Sequence, residues 1–273
     1  VTHLSAASPA DAAAATAAAA LLAALPGLAF AFVLLLARVG AALMLVPVLG
    51  EAEVPSMVRA GFAVLVVVLL LPPLRPLLPD PPDSILRAAG AVAAEAITGL
   101  WLGWLARLIV FALSVAGQIV SLATGLSNVL QPDPALGTQS SALARVMAAT
   151  APVLLLAGGL HAWPLAALAG SYRVVPAGVL PLAAATTAEL VDAVGASFGL
   201  ALRLAAPFLV ASLLWHVVLG LALRLAAQVQ PMTLAAPVQV LGGLALLAMI
   251  PVGLLAVWSA RAAELLAALP GLG

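Results

Sequence analysis

Cysteine is absent from the 273 residues, and so is lysine. The first absence excludes disulfides, thiolate metal sites and thiol chemistry. The second excludes a P-loop, whose lysine reaches the phosphates. Charge is scarce: 7% of residues are charged, 10 of each sign, with arginine as every base. An ordinary soluble domain carries about 25%. No basic tract exists to suit nucleic acid or anionic lipid, so no nucleic-acid partner is expected. Aromatics make up only 4%. The three histidines, His3, His161 and His216, form no H-E-x-x-H zinc motif. The turn Gly125-Leu126-Ser127-Asn128 lacks the following glycine of an intramembrane serine protease. No catalytic, metal-binding or cofactor set emerges, and no enzyme is expected.

What remains is apolar. Hydrophobic residues make up 65% of the chain and the mean hydropathy is +1.26. One soluble core cannot hide that much apolar surface, so much of it must face lipid or apolar protein. The start does not read as a signal peptide, because no basic residue precedes Arg38. Hydropathy separates six segments, roughly 20–49, 57–74, 88–130, 141–170, 190–228 and 233–268. Each is at or near the length of about 20 residues that a spanning helix needs. Turn chemistry divides them: Gly50 to Pro55, the proline cluster Pro72 to Pro82, Gln131 to Gly137, and Pro176 to Pro181. Asp83-Ser84 offers an N-cap to the third segment. Pro231 sits in a tight link that makes the last two segments a helical hairpin. The predicted class is an all-α integral membrane protein of long, broken helices and helical hairpins. It is one membrane-associated unit, with N-terminal helices over about 11–80, central helices and a loop over about 84–172, and a C-terminal hairpin over about 187–268.

Several segments are too long for one simple crossing. As a straight helix, 88–130 would measure about 60 Å, against about 30 Å of hydrocarbon core. Segments 11–49 and 190–228 share the excess. Such a segment either folds back as two short spans or continues out of the bilayer, where partner subunits must cover it. Pro26, Pro47, Pro152, Pro164, Pro207 and Pro251 predict kinks or breaks within segments. The octet G-L-A-L-R-L-A-A occurs at Gly199–Ala206 and again at Gly220–Ala227. It sets Arg203 and Arg224 about 32 Å apart along a helix, enough to bracket one span with both heads snorkelling. The remaining arginines distribute too evenly to fix a topology.

Arg38, Glu95 and Arg107 fall inside apolar runs. A charge at mid-bilayer costs about 2.5–3.5 kcal/mol on insertion scales, so such residues face a bundle interior, a wet path or an opposite charge. On a helix that leaves the membrane they would instead be interfacial. Gly99–Gly103 and Gly195–Gly199 are G-x-x-x-G pairs that permit close helix contact. Ser114, Gln118, Ser121, Thr124, Ser127 and Asn128 recur every three or four positions, so they line one helix face before the turn at Asp133. Such a stripe lines a pore or gate, or forms a hydrogen-bonded seam between helices.

At these residues the chain resembles the FliR family of flagellar biosynthesis and type III secretion proteins. The resemblance begins with Arg38-Val39-Gly40, Pro47, Gly50, Val54-Pro55 and Arg59. It continues through Gly125-Leu126-Ser127 and Asp133-Pro134-x-x-Gly137-x-Gln139-Ser140-Ser141-x-Leu143. It ends with Arg224 to Gln228, Pro237 and Pro251. The chain has Gln239 where the family pattern carries a basic residue. The resemblance implies one subunit of the flagellar export gate, in the bacterial inner membrane at the basal body. It implies assembly with FliP-like, FliQ-like and FlhB-like subunits into a helical complex that passes unfolded export substrates. It also implies a central-loop plug at Gly125, Leu126, Ser127, Asn128, Asp133, Pro134, Gly137 and Gln139. The competing reading is a stand-alone multi-span secondary transporter coupled through Arg38, Glu95 or Arg107.

Overall fold

The computed structural model describes residues 9–129, 141–181, 183–225 and 231–272. Among them every regular element is helical. The helices are α1 (Pro9–Leu43), α2 (Ser56–Leu74), α3 (Ile85–Ala123), a single turn α4 (Leu126–Val129), α5 (Ala142–Ala157), α6 (Ala162–Val174), α7 (Ala183–Leu225), α8 (Pro231–Met249) and α9 (Pro251–Ala267). The boundaries follow the local chemistry. Ser84 takes an extended conformation as the residue before α3, although its side chain makes no cap bond. Ser141 caps α5 by accepting the Ala144 N–H. Gly125, at φ +75°, ends α3 in the left-handed region that glycine adopts without strain.

The prolines divide into two groups. Pro26, Pro152, Pro207 and Pro237 are carried inside helices. Pro47 lies in the turn after α1, Pro164 in the first turn of α6, and Pro251 opens α9. The α5–α6 pair bends by 73° and the α8–α9 pair by 58°. The long helices, by contrast, do not fold back. α1, α3 and α7 have 35, 39 and 43 residues, or about 52, 58 and 64 Å at the helical rise. Among the described residues, four helices are long and apolar enough to cross a membrane, or up to six spans if each bent pair counts as one.

α3 is the mast, and α1, α5 and α7 pack along it. One core cluster joins the N-terminal half of α3 to α1, α2 and α6 around Leu35, Val39, Leu43, Leu168 and Tyr172. The other joins its C-terminal half to α5, α7 and α9 around Leu113, Leu155, Phe208 and Trp258. Trp101 touches both. Midway along α3, side chains from other helices bond its backbone: Ser197 Oγ donates to Leu108 O at 2.8 Å, and Trp258 Nε1 to Ile109 O at 3.1 Å. Three of its neighbours keep most of their apolar surface outward. In the most apolar windows of α1, α2 and α7 only 17% of the residues are buried, against 61% in α3.

Candidate functional site

The polar stripe runs along the second half of α3 to the point where the chain leaves the mast. Gln118 Oε1 accepts both the N–H and the hydroxyl of Ser141, at 3.1 and 3.0 Å. It thereby ties α3 to the start of α5. Gly117 allows this approach, since a methyl group there would come within 2.8 Å of the Ala144 Cα. Ser121 is buried, and its hydroxyl has no hydrogen-bond partner. Thr124 is buried and bonds back to Val120 O at 2.7 Å. The chain turns out at Gly125 and makes the single turn α4, in which Leu126 is buried and Ser127 partly so. Asn128 lies in that turn, while Asp133, Pro134, Gly137 and Gln139 lie outside the described residues.

α8 closes over the same place. Gln239 Nε2 donates to Ala123 O at 3.1 Å. That carbonyl belongs to the last turn of α3, where carbonyls lack intrahelical partners. Gly243 lies so close to Thr124 that a methyl group there would overlap its side chain. A cavity of about 320 Å³, lined by Thr124, Phe208, Trp215, Gln239 and Gly242, remains beside this contact.

A second constellation sits at the other end of the mast. Arg38 of α1 and Glu95 of α3 are fully buried, and they pair through two bonds, Nε to Oε2 at 2.8 Å and Nη2 to Oε1 at 2.9 Å. Arg38 also donates to Ser171 Oγ at 3.0 Å and Val175 O at 3.1 Å. Its guanidinium lies 3.9 Å from the centre of the Tyr172 ring. Glu95 Oε1 takes the Gly178 N–H at 2.7 Å as well. α1, α3, α6 and the turn after α6 thus meet at one charge pair, with both ions extensively hydrogen-bonded.

Arg107 finds a different partner. It holds Glu51, in the turn between α1 and α2, through two bonds of 2.7 and 3.0 Å. Arg59 clamps that turn by donating to the carbonyls of Leu49, Glu51 and Val54. In the same turn Val48 lies at φ +76°, a strained value for a β-branched residue.

The two glycine pairs have different surroundings. Gly99 and Gly103 lie against α1. A methyl group on Gly99 would overlap the Arg38 carbonyl, and one on Gly103 would come within 2.6 Å of Ala42 O. Gly195 and Gly199, on α7, have no atom within 4 Å of where a methyl group would stand. Arg203 and Arg224 are exposed on α7. His216 bonds to Ser212 on its own helix. Sequence reasoning missed Glu51 as the partner of Arg107, and Ser171 and Gly178 around the buried pair. It also missed the bond from Gln239. The scarcity of acids was the one available signal for Glu51.

The sequence profile described as bacterial export proteins, family 1, matches residues 29–265. The flagellar biosynthetic protein FliR of Caulobacter vibrioides is 35% identical over 234 residues, covering 85% of this chain and 93% of the relative. The protein of the same name from Escherichia coli is 30% identical over 213 residues, covering 78% of this chain and 81% of the relative. That of Bacillus subtilis is 28% identical over 133 residues, about half of each chain. With a profile match along most of its length, and relatives of one name across it, this membrane-helical chain belongs to the bacterial export proteins, family 1, the family of the flagellar biosynthetic protein FliR.

Proposed function

We propose that the chain is a channel-forming subunit of the flagellar type III export gate in the bacterial inner membrane. It would assemble with FliP-like and FliQ-like subunits, and an FlhB-like subunit, around a path for unfolded export substrates. The observation that carries this reading is the α7 helix. From Ala185 to Arg224 it is one unbroken helix of high mean hydropathy, carrying Glu189, Asp192 and Arg203 before its closing Arg224, and only 17% of its most apolar window is buried. These forty residues run about 60 Å, twice the hydrocarbon thickness. Lipid can cover one half, and the other half needs protein. Arg203 and Arg224 bracket one membrane-length stretch of this helix. Gly195 and Gly199 precede it on an open face, where a partner helix would approach closely.

The central segment Gly125–Gly137, with Asp133-Pro134 at its turn, would serve as a plug. The described chain on either side of this segment is tied near the end of α3: Gln118 holds Ser141, and Gln239 of α8 holds the Ala123 carbonyl. That suits a short element held across a channel mouth. The pairing of Arg38 with Glu95 and of Arg107 with Glu51 weighs against the transporter alternative. Deleting residues 130–140 should make membrane vesicles that carry the assembled complex permeable to small ions. Unchanged permeability with the complex intact would remove the plug role.

A further inference from the structure

We infer that Arg203 and Arg261 form a binding site for the phosphate headgroup of an anionic phospholipid. This rests on the division of α7 proposed above, with lipid over one half and protein over the other, and it sets the boundary at Arg203. Arg203 of α7 and Arg261 of α9 line one open groove of about 280 Å³, together with Gly195, Gly199 and Leu265. The two glycines leave the α7 side of the groove as bare backbone, with no atom within 4 Å of where a methyl group would stand. The charges of the groove do not balance within the protein. Arg261 holds Glu264 on its own helix. Among the described residues the Arg203 guanidinium has neither an ion pair nor a hydrogen bond. One positive charge is therefore left over, the complement of a single phosphodiester, and a guanidinium fork matches phosphate oxygens in geometry as well as charge.

The place of the groove in the fold points to a lipid as the source of that phosphate. α7 and α9 run antiparallel here: Phe208 shares a cavity with Leu254 and Leu255, and Arg203 shares the next with Arg261 and Leu265. Away from the groove on the Phe208 side, α7 carries no arginine or acid until Arg224, and α8 and α9 carry none before Arg261. Two arginines from two helices thus stand at the same end of an uncharged layer. Along α7 that layer is about 32 Å deep, close to the hydrocarbon thickness of about 30 Å. Val210, Leu214, Val217 and Leu221 follow Arg203 at helical spacing, continue its face of α7 and are all exposed. A headgroup held by the arginines has its acyl chains beside this apolar face. A carboxylate on a partner helix matches the charge of the groove but makes no use of the bare apolar face that begins next to it.

The test titrates the detergent-solubilised complex with dioleoylphosphatidylglycerol and reads bound lipid by native mass spectrometry. The unsubstituted complex should keep one phosphatidylglycerol after looser lipid has been stripped. Dioleoylphosphatidylcholine should not replace it, because its choline cancels the phosphate charge. Loss of one charge-assisted hydrogen bond weakens binding by about tenfold. Arg203→Gln should weaken that lipid by about this factor, and Arg203→Gln/Arg261→Gln should abolish it. Arg203→Lys keeps the charge and should retain most of the binding. Arg87→Gln, at an exposed arginine in the first turn of α3, should change nothing. Unchanged lipid in the double variant would overturn the site. Displacement of the lipid by excess inorganic phosphate would show a site for free anions and overturn the lipid assignment. A double variant that sheds a partner subunit but keeps its lipid would give the groove to a partner's carboxylate instead. If the chain purifies without partners, the gate reading falls, and the same titration of the chain alone decides the lipid site.

Discussion

Arg38 and Glu95 are tolerated inside an apolar bundle because each completes the other. The guanidinium has five donors, and four of its bonds go to Glu95, Ser171 and Val175. Such a pair stabilises little against an apolar replacement, but removal of one member strands the other. Glu95→Ala and Arg38→Ala should each destabilise the chain by about 3–5 kcal/mol, whereas the double variant Arg38→Met/Glu95→Leu should lose far less. The thermal midpoint of the detergent-solubilised complex checks this. A double variant that falls as far as the singles would show that the pair acts by something other than mutual neutralisation. The sequence marked both residues as charges in apolar runs. Their union was not legible, because 57 residues separate them and nothing local specifies the crossing of α1 on α3. Arg107 was marked in the same way, but its partner lies in a turn, where an acid looks like ordinary solvated chain.

At the level of elements, hydropathy and turn residues placed the helices well. The segments predicted at 57–74 and 88–130 correspond to α2 at Ser56–Leu74 and α3 at Ile85–Ala123. The bends were legible only in part. Pro251 breaks α8 from α9, yet Pro207 is carried within α7 without ending it. A proline breaks a helix where neighbouring contacts do not hold it, and those contacts come from other elements. Between α5 and α6 the break falls at Gly158-Gly159, with Gly159 at φ +68°. The glycine pairs make the same point. One motif meets α1 and the other meets open space, and the motif itself does not distinguish them. Gly99→Ala should cost about 1–3 kcal/mol by forcing α1 from α3. Gly195→Ala should leave the stability of the chain unchanged or slightly raised, since a helix favours alanine over glycine. Thermal denaturation of both variants checks the contrast, and equal losses would contradict the close crossing at Gly99.

At the scale of the whole molecule, the fold is a mast wrapped on three sides with most of its outer apolar surface uncovered. α3 buries most of itself, while α1, α2 and α7 present apolar faces outward. Helices of about 52–64 Å cannot leave all of that surface to a layer about 30 Å thick. On the proposed gate reading, neighbouring subunits cover the remainder. The direct measurement is the mass of the detergent-solubilised particle, by native mass spectrometry, after expression alone and after co-expression with FliP-like and FliQ-like subunits. The account predicts aggregation or degradation alone, and one defined hetero-oligomer containing this chain when the partners are present. A stable, monodisperse monomer whose mass does not change with the partners would contradict it.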